Sequence, residues 1–394
     1  LLAAQEHLDR INVFPVPDGD TGTNLALTVR AMLGALQSGA EDHAGRVLTR
    51  AADAALDGAR GNSGAILSQF LTGVADRAAA LRELAPADFA AAMRHGADHA
   101  REAIAEPREG TILTVLRDFA DEVERLAGRG VGGFPELVRL SLARARESLA
   151  ATREQMDELR RADVVDAGAA GFVALLEGVS EYLDTGTLDE SAPLPVAEHD
   201  EHGHAAGHAE SLAHRWCTEC MVTGDTIDRR RLRERLAELG SSLVVAGTHR
   251  KVRVHVHVAE PAEVFRIAAE YGAVSAQKAD DMRRQQEAAH HAARRRVAIV
   301  ADSAADIPDE ELERLDIHLV PVRVSFGEQS YLDKVSLTPA QFYELLRTSP
   351  VPPKTSQPPP GDFRRLFEFL ASHYESVVSV NVAARSSGTK QAAE

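Results

Sequence analysis

From residue 25 to about residue 183, apolar residues recur at spacings of three and four. The stretches 24–36, 44–56, 87–103 and 134–149 therefore predict amphipathic helices. Glycines and prolines punctuate them, most clearly at Gly128-Arg129-Gly130 and Gly132-Gly133. Strand-like alternation is scarce here, so the first half reads as all-helical. The pattern then breaks. Leu188 to Pro195 leads into a run carrying His199, His202, His204 and His208, poor in apolar residues and rich in Pro, Gly, Glu and His. Residues 188–212 read as a disordered, His-rich linker rather than a metal-sensing tract, because flexible histidines hold metals weakly. Beyond it the order strand, helix, strand, strand, helix over 215–223, 228–239, 242–246, 251–258 and 262–271 predicts a small α+β unit. Its helices should cover one face of an antiparallel sheet. A second break at His290-His291-Ala292-Ala293-Arg294-Arg295-Arg296 precedes short apolar runs at 297–301, 317–324 and 377–382. Helical stretches, 362–374 among them, separate these runs, which predicts a parallel α/β sheet.

At 394 residues the chain is long for one core, in keeping with these breaks. The expected domains are 1–187, 213–290 and 297–394, with 188–212 as linker. A formal net charge of −16 argues against nonspecific nucleic-acid binding. The basic run Arg229-Arg230-Arg231 with Arg233 shares a segment with Leu232, Leu236 and Leu239, so it reads as the solvated face of a helix. Two cysteines, Cys217 and Cys220, imply no disulfide framework. No apolar run approaches the roughly 20 residues a bilayer requires. No secretory signal is visible, although the chain opens Leu1-Leu2 without methionine, and a cytoplasmic location is expected.

The densest chemistry lies in Asn12-Val13-Phe14-Pro15-Val16-Pro17-Asp18-Gly19-Asp20-Thr21-Gly22-Thr23-Asn24. Asp18 and Asp20 flank a glycine, and two carboxylates on one tight turn repel each other unless a hard cation sits between them. Mg2+ takes one or two carboxylates and fills its other positions with water and phosphate oxygens. Thr23 or Asn24 is placed to cap the apolar helix expected from Leu25, whose N-terminus favours anions. An Asp-Gly turn serving only as a helix cap is the alternative. A companion stretch, Gly58 to Gln69, holds Arg60, Gly61, Asn62, Ser63 and Gly64 at the start of another helix. Backbone amides there can wrap phosphates, with Ser63 adding a hydroxyl and Arg60 a charge. No Gly-Lys-Ser/Thr follows, so it is not a Walker loop.

These two stretches resemble the nucleotide site of the DhaL-type kinase domain, in its bacterial fatty acid kinase branch. Glu109-Gly110-Thr111-Ile112-Leu113-Thr114-Val115 and Val164-Val165-Asp166-Ala167-Gly168-Ala169-Ala170-Gly171 follow in the family's order. The resemblance implies an all-α helical barrel that binds ATP through Mg2+ held by Asp18 and Asp20, with Asn12 as a third candidate. It places Thr21, Gly22, Thr23, Asn24, Gly61, Asn62, Ser63 and Gly64 around the phosphates. It sets Thr111 and Leu113 near the adenine, with Asp166 and Gly168 closing the site.

In the middle unit, His255 and His257 are two apart in a strand and project from one face. Cys217 lies in a segment that can pair beside it. One thiolate and two imidazoles suit three positions of a tetrahedral Zn2+ site, while Cys217-Thr218-Glu219-Cys220 leaves a CxxC knuckle or redox pair as rival. Trp216-Cys217-Thr218-Glu219 and Val252 to Val258 resemble the central domain of fatty acid kinases, which implies zinc on Cys217, His255 and His257. Cys220 departs from that pattern and reads as a small buried hydrophobe.

Residues 297–394 resemble the first part of a DegV-like fatty-acid-binding domain. The likeness rests on Val300 to Pro308, Lys354-Thr355-Ser356-Gln357-Pro358 and Ser386-Ser387-Gly388-Thr389. Hydroxyls outside the C-terminal ends of a parallel sheet suit a carboxylate headgroup, so Ser303, Thr355 and Ser387 are substrate-binding candidates. Helix capping is their structural alternative.

The expected activity is an ATP- and Mg2+-dependent kinase that converts a bound fatty acid to an acyl phosphate, with zinc structural. The fatty acid comes from the fused domain or from a separate DegV-like carrier. Alternatives are a kinase for dihydroxyacetone or a similar hydroxyl substrate, and a non-catalytic lipid-responsive adaptor. The oligomeric state is open, a homodimer included.

Overall fold

The computed structural model describes residues 1–17, 19–37, 41–186, 214–284 and 296–394. The expected linker over 188–212 and the His/Arg break at 290–295 lie outside the described residues, as does Asp18.

A 3-10 turn (Leu2–Ala4) opens a helical body. It comprises α1 (Gln5–Arg10), α2 (Thr21–Leu36), α3 (Ala44–Gly58), α4 (Gly61–Ala78), α5 (Pro86–Glu102), α6 (Ile112–Gly128), α7 (Phe134–Gln155), α8 (Asp157–Ala162) and α9 (Ala167–Thr185). The helix expected from residue 24 begins three residues earlier, at Thr21, with Asp20 at its N-cap. Asp9 of α1 explains the shift: its carboxylate accepts the Thr23 amide at 2.9 Å and the Thr23 hydroxyl at 2.8 Å. Thr23 and Asn24 thus belong to the first turn and do not cap it. The core gathers Leu8, Leu25, Leu67, Val115 and Leu116 around Phe172, which meets Phe70 and Phe119 edge to face at centroid distances of 5.5 and 5.7 Å.

The middle region contains β1 (Trp216–Thr223), α10 (Arg229–Ala237), β2 (Gly240–Gly247), β3 (Lys251–Val258), α11 (Pro261–Ala269) and β4 (Ala273–Asp281). Its sheet runs β2-β3-β1-β4. The expected order βαββα therefore gains a final strand. Its Ala-Val-Ser-Ala-Gln-Lys-Ala-Asp-Asp sequence lacks apolar alternation, and Lys278 is buried there by charge, lying 2.8 Å from Asp280 and 3.5 Å from the buried Glu219. The helical body extends the sheet at β2: Ala105 N–H donates to Leu243 O at 3.2 Å and Val245 N–H to Ala103 O at 3.0 Å. Gln69 of α4 accepts the Gly247 amide at 2.6 Å in a buried bond. Leu56, Ala65, Ala103, Met221, Val244 and Ala246 close a small core at this seam.

The remaining chain forms β5 (Val297–Asp302), α12 (Asp309–Leu315), β6 (Ile317–Val320), β7 (Arg323–Phe326), β8 (Gln329–Leu332), α13 (Pro339–Thr348), β9 (Lys354–Ser356), α14 (Pro360–His373), β10 (Ser376–Val380) and α15 (Thr389–Ala393). The expected parallel sheet is present as β10-β5-β6. The apolar run 317–324, expected as one strand, splits at Pro321, which lacks the amide to continue a ladder. Its second part, β7, joins an antiparallel sheet β8-β7-β9. Thr355, expected in a loop, lies in β9, opposite Val324.

The chain divides into two compact units. One holds Leu1–Leu212, Met221–His257 and Tyr271–Ala273; the other holds Ala213–Cys220, Val258–Glu270 and Val274–Glu394. The helical body thus shares a unit with β2 and most of β3. Among the described residues no helix is long and apolar enough to cross a membrane.

Candidate functional site

Helix starts gather at one place in the helical body. An ideal Cβ on Gly61 would fall 2.4 Å from Asn24 Nδ2, and one on Gly64 would fall 2.6 Å from Thr28 Oγ1, so α4 begins directly against the first turns of α2. Gly61 has φ +59°, a conformation glycine adopts without strain. A Cβ on Gly168 would lie 3.1 Å from Ser63 Oγ and 3.5 Å from Ile112 Cβ, which brings the start of α9 to the starts of α4 and α6. Asn24, Gly61, Ser63, Gly64, Asp166 and Gly168 are therefore contiguous. The first amides of each helix have no intrahelical acceptor, and their dipoles favour negative charge. Asn62 Oδ1 is buried with no hydrogen-bond partner among the described residues, a polar atom left over for a ligand.

Carboxylates hold this arrangement from behind. Asp166 caps α9 by accepting the Ala169 amide at 2.8 Å, and the same oxygen accepts the Ile112 amide of α6 at 3.0 Å. Its own amide donates to Thr152 Oγ1 at 3.1 Å. Burial pushes the Asp166 carboxyl up to about 6, against the two amides that hold it down. Asp9 is likewise raised to about 6 by burial, with the Asp20 charge adding to the rise and the Thr23 donors opposing it. Thr111 sits at the N-cap of α6 with its hydroxyl on Arg108 O at 2.8 Å, and Leu113 packs into the helical core. Asn12 is buried, its amide donating to Asp9 O at 3.3 Å. Arg60 folds back onto the Ala59 carbonyl at 2.6 Å. Sequence reasoning missed Asp9 and Thr152. Asp9 stands close before the Asp18–Asp20 turn, and that proximity was the available signal; Thr152 carried none.

In the middle sheet, ligand atoms of Cys217, His255 and His257 all lie within 4.8 Å of one another, and all three residues are buried. The two imidazole Nε2 atoms are 3.3 Å apart. This spread accommodates one ion at zinc's bond lengths of about 2.0–2.3 Å. Cys220 is fully buried and stands outside the group, because strand alternation turns it to the other face of β1.

In the last region, Ser303 is buried just past β5, donating to Asp333 Oδ2 at 2.7 Å and accepting the Val322 amide at 3.0 Å. Asp302 accepts the Val382 amide at 2.7 Å, tying this loop to the segment after β10. An ideal Cβ on Gly388 would fall 2.1 Å from Gln357 Oε1, so the Ser387 and Thr355 loops touch. Thr355 is exposed, and Ser387 shares a 2.8 Å hydroxyl bond with Thr389.

Three family models each match part of the chain. Residues 15–181 match the DAK2 domain, 213–289 the fatty acid kinase-like middle domain, and 296–394 the uncharacterised DegV family. Protein YloV of Bacillus subtilis is 35% identical over 286 residues, which cover 70% of this chain and 52% of that protein. An uncharacterized protein of Staphylococcus saprophyticus is 33% identical over 330 residues, covering 81% of this chain and 58% of its own length. The chain thus spans about half the length of the curated relatives it matches. Among solved structures, DegV, a fatty acid binding protein from Bacillus subtilis, is 37% identical at a TM-score of 0.24. A fatty-acid-binding DegV family protein from Thermus thermophilus is 33% identical at the same TM-score. Each match covers 25% of this chain and 35% of the other.

Proposed function

From a chain that joins a DAK2 domain, a fatty acid kinase-like middle domain and a DegV-family segment, we propose a fatty acid kinase. It would use ATP and Mg2+ to phosphorylate the carboxylate of a bound fatty acid to an acyl phosphate. One observation carries the reading: the starts of α2, α4, α6 and α9 converge beside Asp20, with glycines where side chains would block approach.

In this reading Asp18 and Asp20, with Asn12, would hold Mg2+, which would supply positive charge against the phosphates. Thr21, Gly22, Thr23 and Asn24 from α2, and Gly61, Asn62, Ser63 and Gly64 from α4, cradle phosphate oxygens with amides and short polar side chains. Thr111 and Leu113 border the adenine, and Asp166 and Gly168 close the site. A fatty acid carboxylate, with an ordinary pKa between about 4 and 5, is already ionised at neutral pH, so no general base is required. One carboxylate oxygen attacks the γ-phosphorus, the bond to the β,γ-bridging oxygen breaks, and ADP leaves with that electron pair. The protein's part is alignment and charge stabilisation. Ser303, Thr355 and Ser387 supply hydroxyls for the carboxylate headgroup, in the fused segment or as the counterpart of a separate carrier.

Incubation with ATP, Mg2+ and fatty acid loaded on a complete DegV-type carrier, followed by hydroxylamine, should yield the acyl hydroxamate. Asp20→Ala should abolish it, a loss of about a thousandfold or more, with unchanged far-UV circular dichroism. A phosphate ester of dihydroxyacetone formed in place of the hydroxamate would redirect the substrate assignment. Cys217, His255 and His257 fit a structural zinc: metal analysis should find about one zinc per chain, lost in His255→Ala and retained in Cys220→Ala.

A further inference from the structure

Arg253 is the largest fully buried side chain among the described residues. It stands on β3, yet its guanidinium reaches into the helical body. Its Nη2 donates to Ala59 O at 2.6 Å and to Asp57 O at 3.2 Å. Those carbonyls belong to the turn between α3 and α4, immediately before Gly61, Asn62 and Ser63. Period-two alternation sets Arg253 on the same face of β3 as His255 and His257.

A loop that turns successive amides toward an anion must turn carbonyls the other way, and buried carbonyls need donors. The loop has no lysine of its own, and half-buried Arg60 donates its Nη1 to the same Ala59 and Asp57 carbonyls, at 2.6 and 3.3 Å. Arg253 covers the Ala59 and Asp57 carbonyls from inside. A buried guanidinium is costly to desolvate, and here its Nη2 is spent on neutral carbonyls. The anchoring strand is itself fixed close by. Gly247 N–H, just before the β2–β3 turn, donates to buried Gln69 of α4.

The geometry points to Arg253 as the positioning residue of the phosphate loop: the middle domain's β3 completes the nucleotide site of the helical domain by holding the Asp57 and Ala59 carbonyls away from it. Arg253 touches neither phosphate nor acceptor. It acts through the backbone of residues 57–64, so nucleotide affinity depends on the docked middle domain. This inference rests on the nucleotide-binding part of the function proposed above.

The test uses the full chain and two readouts. Hydrogen exchange follows the amides of residues 59–64 without nucleotide, and calorimetry measures binding of Mg2+ with a non-hydrolysable ATP analogue. Arg253→Met should speed exchange in 59–64 while the interior of α7 stays protected, and should weaken nucleotide binding about tenfold or more. Arg253→Lys keeps the charge but loses the fork, and should fall between the two. Lys251→Ala removes a partly exposed pair on the same strand and should change neither readout. Unchanged exchange and affinity in Arg253→Met, or equal effects from Lys251→Ala, would overturn the inference. If Arg253→Met does not fold, wild-type values in Arg253→Lys overturn it. A wild-type chain that binds no nucleotide would sink the kinase reading, while the exchange data alone would still decide the role of Arg253.

Discussion

The helix-start end of the helical body and the loops around Ser303, Thr355 and Ser387 in the segment that matches the DegV family, both proposed to bind anions, are built in opposite ways. In the helical body the candidate donors are helix-start amides, and the side chains around them work from behind. Asp166 joins two helix starts and Asp9 secures α2 through Thr23. The Thr23, Ile112 and Ala169 amides are thereby taken up by the scaffold itself. In the segment that matches the DegV family, two of the three candidate donors are hydroxyls that already serve the fold. Ser303 both donates and accepts, and Ser387 shares its hydroxyl with Thr389. A ligand there competes with existing bonds. On the proposed reading, the second region has to exchange partners to accept a ligand, whereas Asp9 and Asp166 of the first keep theirs.

The two regions also place titratable groups with opposite consequences. Asp9 and Asp166 are pushed up to about 6 by burial, so the folded helical body holds protons that the unfolded chain has released. Their contribution to stability is therefore fully present below about pH 4 and is lost as pH rises toward 6. His318 on β6 runs the other way. Burial drives its imidazole down to about 4, with Arg284 assisting and Asp316 opposing. The unfolded chain takes up that proton near the ordinary 6.5, so stability is lost as pH falls from 6.5 toward 4. Each shift of about two units is worth about 3 kcal/mol at most. Acidification from pH 6.5 to 4.5 should therefore raise the opening free energy of α2 and α9 amides and lower that of β5 and β6, in hydrogen exchange corrected for intrinsic rates. Asp166→Asn should flatten the first trend and His318→Phe the second. Parallel trends in both regions, untouched by either variant, would break the comparison.

How much of this was legible in the sequence follows the same division. The helical body was readable because amphipathic periodicity and the glycine breaks agree, and Asn24, Ser63 and Gly168 stand in motifs that mark them without any knowledge of their contacts. What eluded the sequence was the support. Asp9, Thr152 and Arg253 act across 14, 14 and 194 residues of separation, and no local pattern encodes such contacts. Strand β4 escaped because two of its three buried positions hold Gln277 and Lys278, the latter paired with Asp280 on the same strand and with Glu219 of β1. The apolar run 317–324 misled by its uniformity, since only Pro321 marks where one strand ends and another sheet begins. The Cys217, His255 and His257 group was legible because strand alternation alone fixes the face of two histidines spaced by two.

The smaller test of the comparison sits inside the DegV-family segment, between hydroxyls that differ in what they already do. Ser303→Ala removes the partner of the Asp333 carboxylate and of the Val322 amide, both in a part-buried setting. Leaving buried polar groups unsatisfied costs about 1–3 kcal/mol, so this variant should lower the unfolding free energy by that amount before any ligand is added. Thr355 lies on β9, where its backbone pairs with Val324 and its side chain is exposed. Thr355→Ala should leave stability within about 0.5 kcal/mol of wild type, since exposed substitutions away from caps and cores seldom do more. On the proposed function, the same substitution should weaken retention of fatty acid, by an amount set by one hydrogen bond to a charged carboxylate, about tenfold. The contrast is then a double one: Ser303 shows in denaturation without ligand, Thr355 only in ligand binding. Equal destabilisation by both substitutions would mean that Thr355 also holds the fold together, and the exposed hydroxyl would lose its claim to the headgroup.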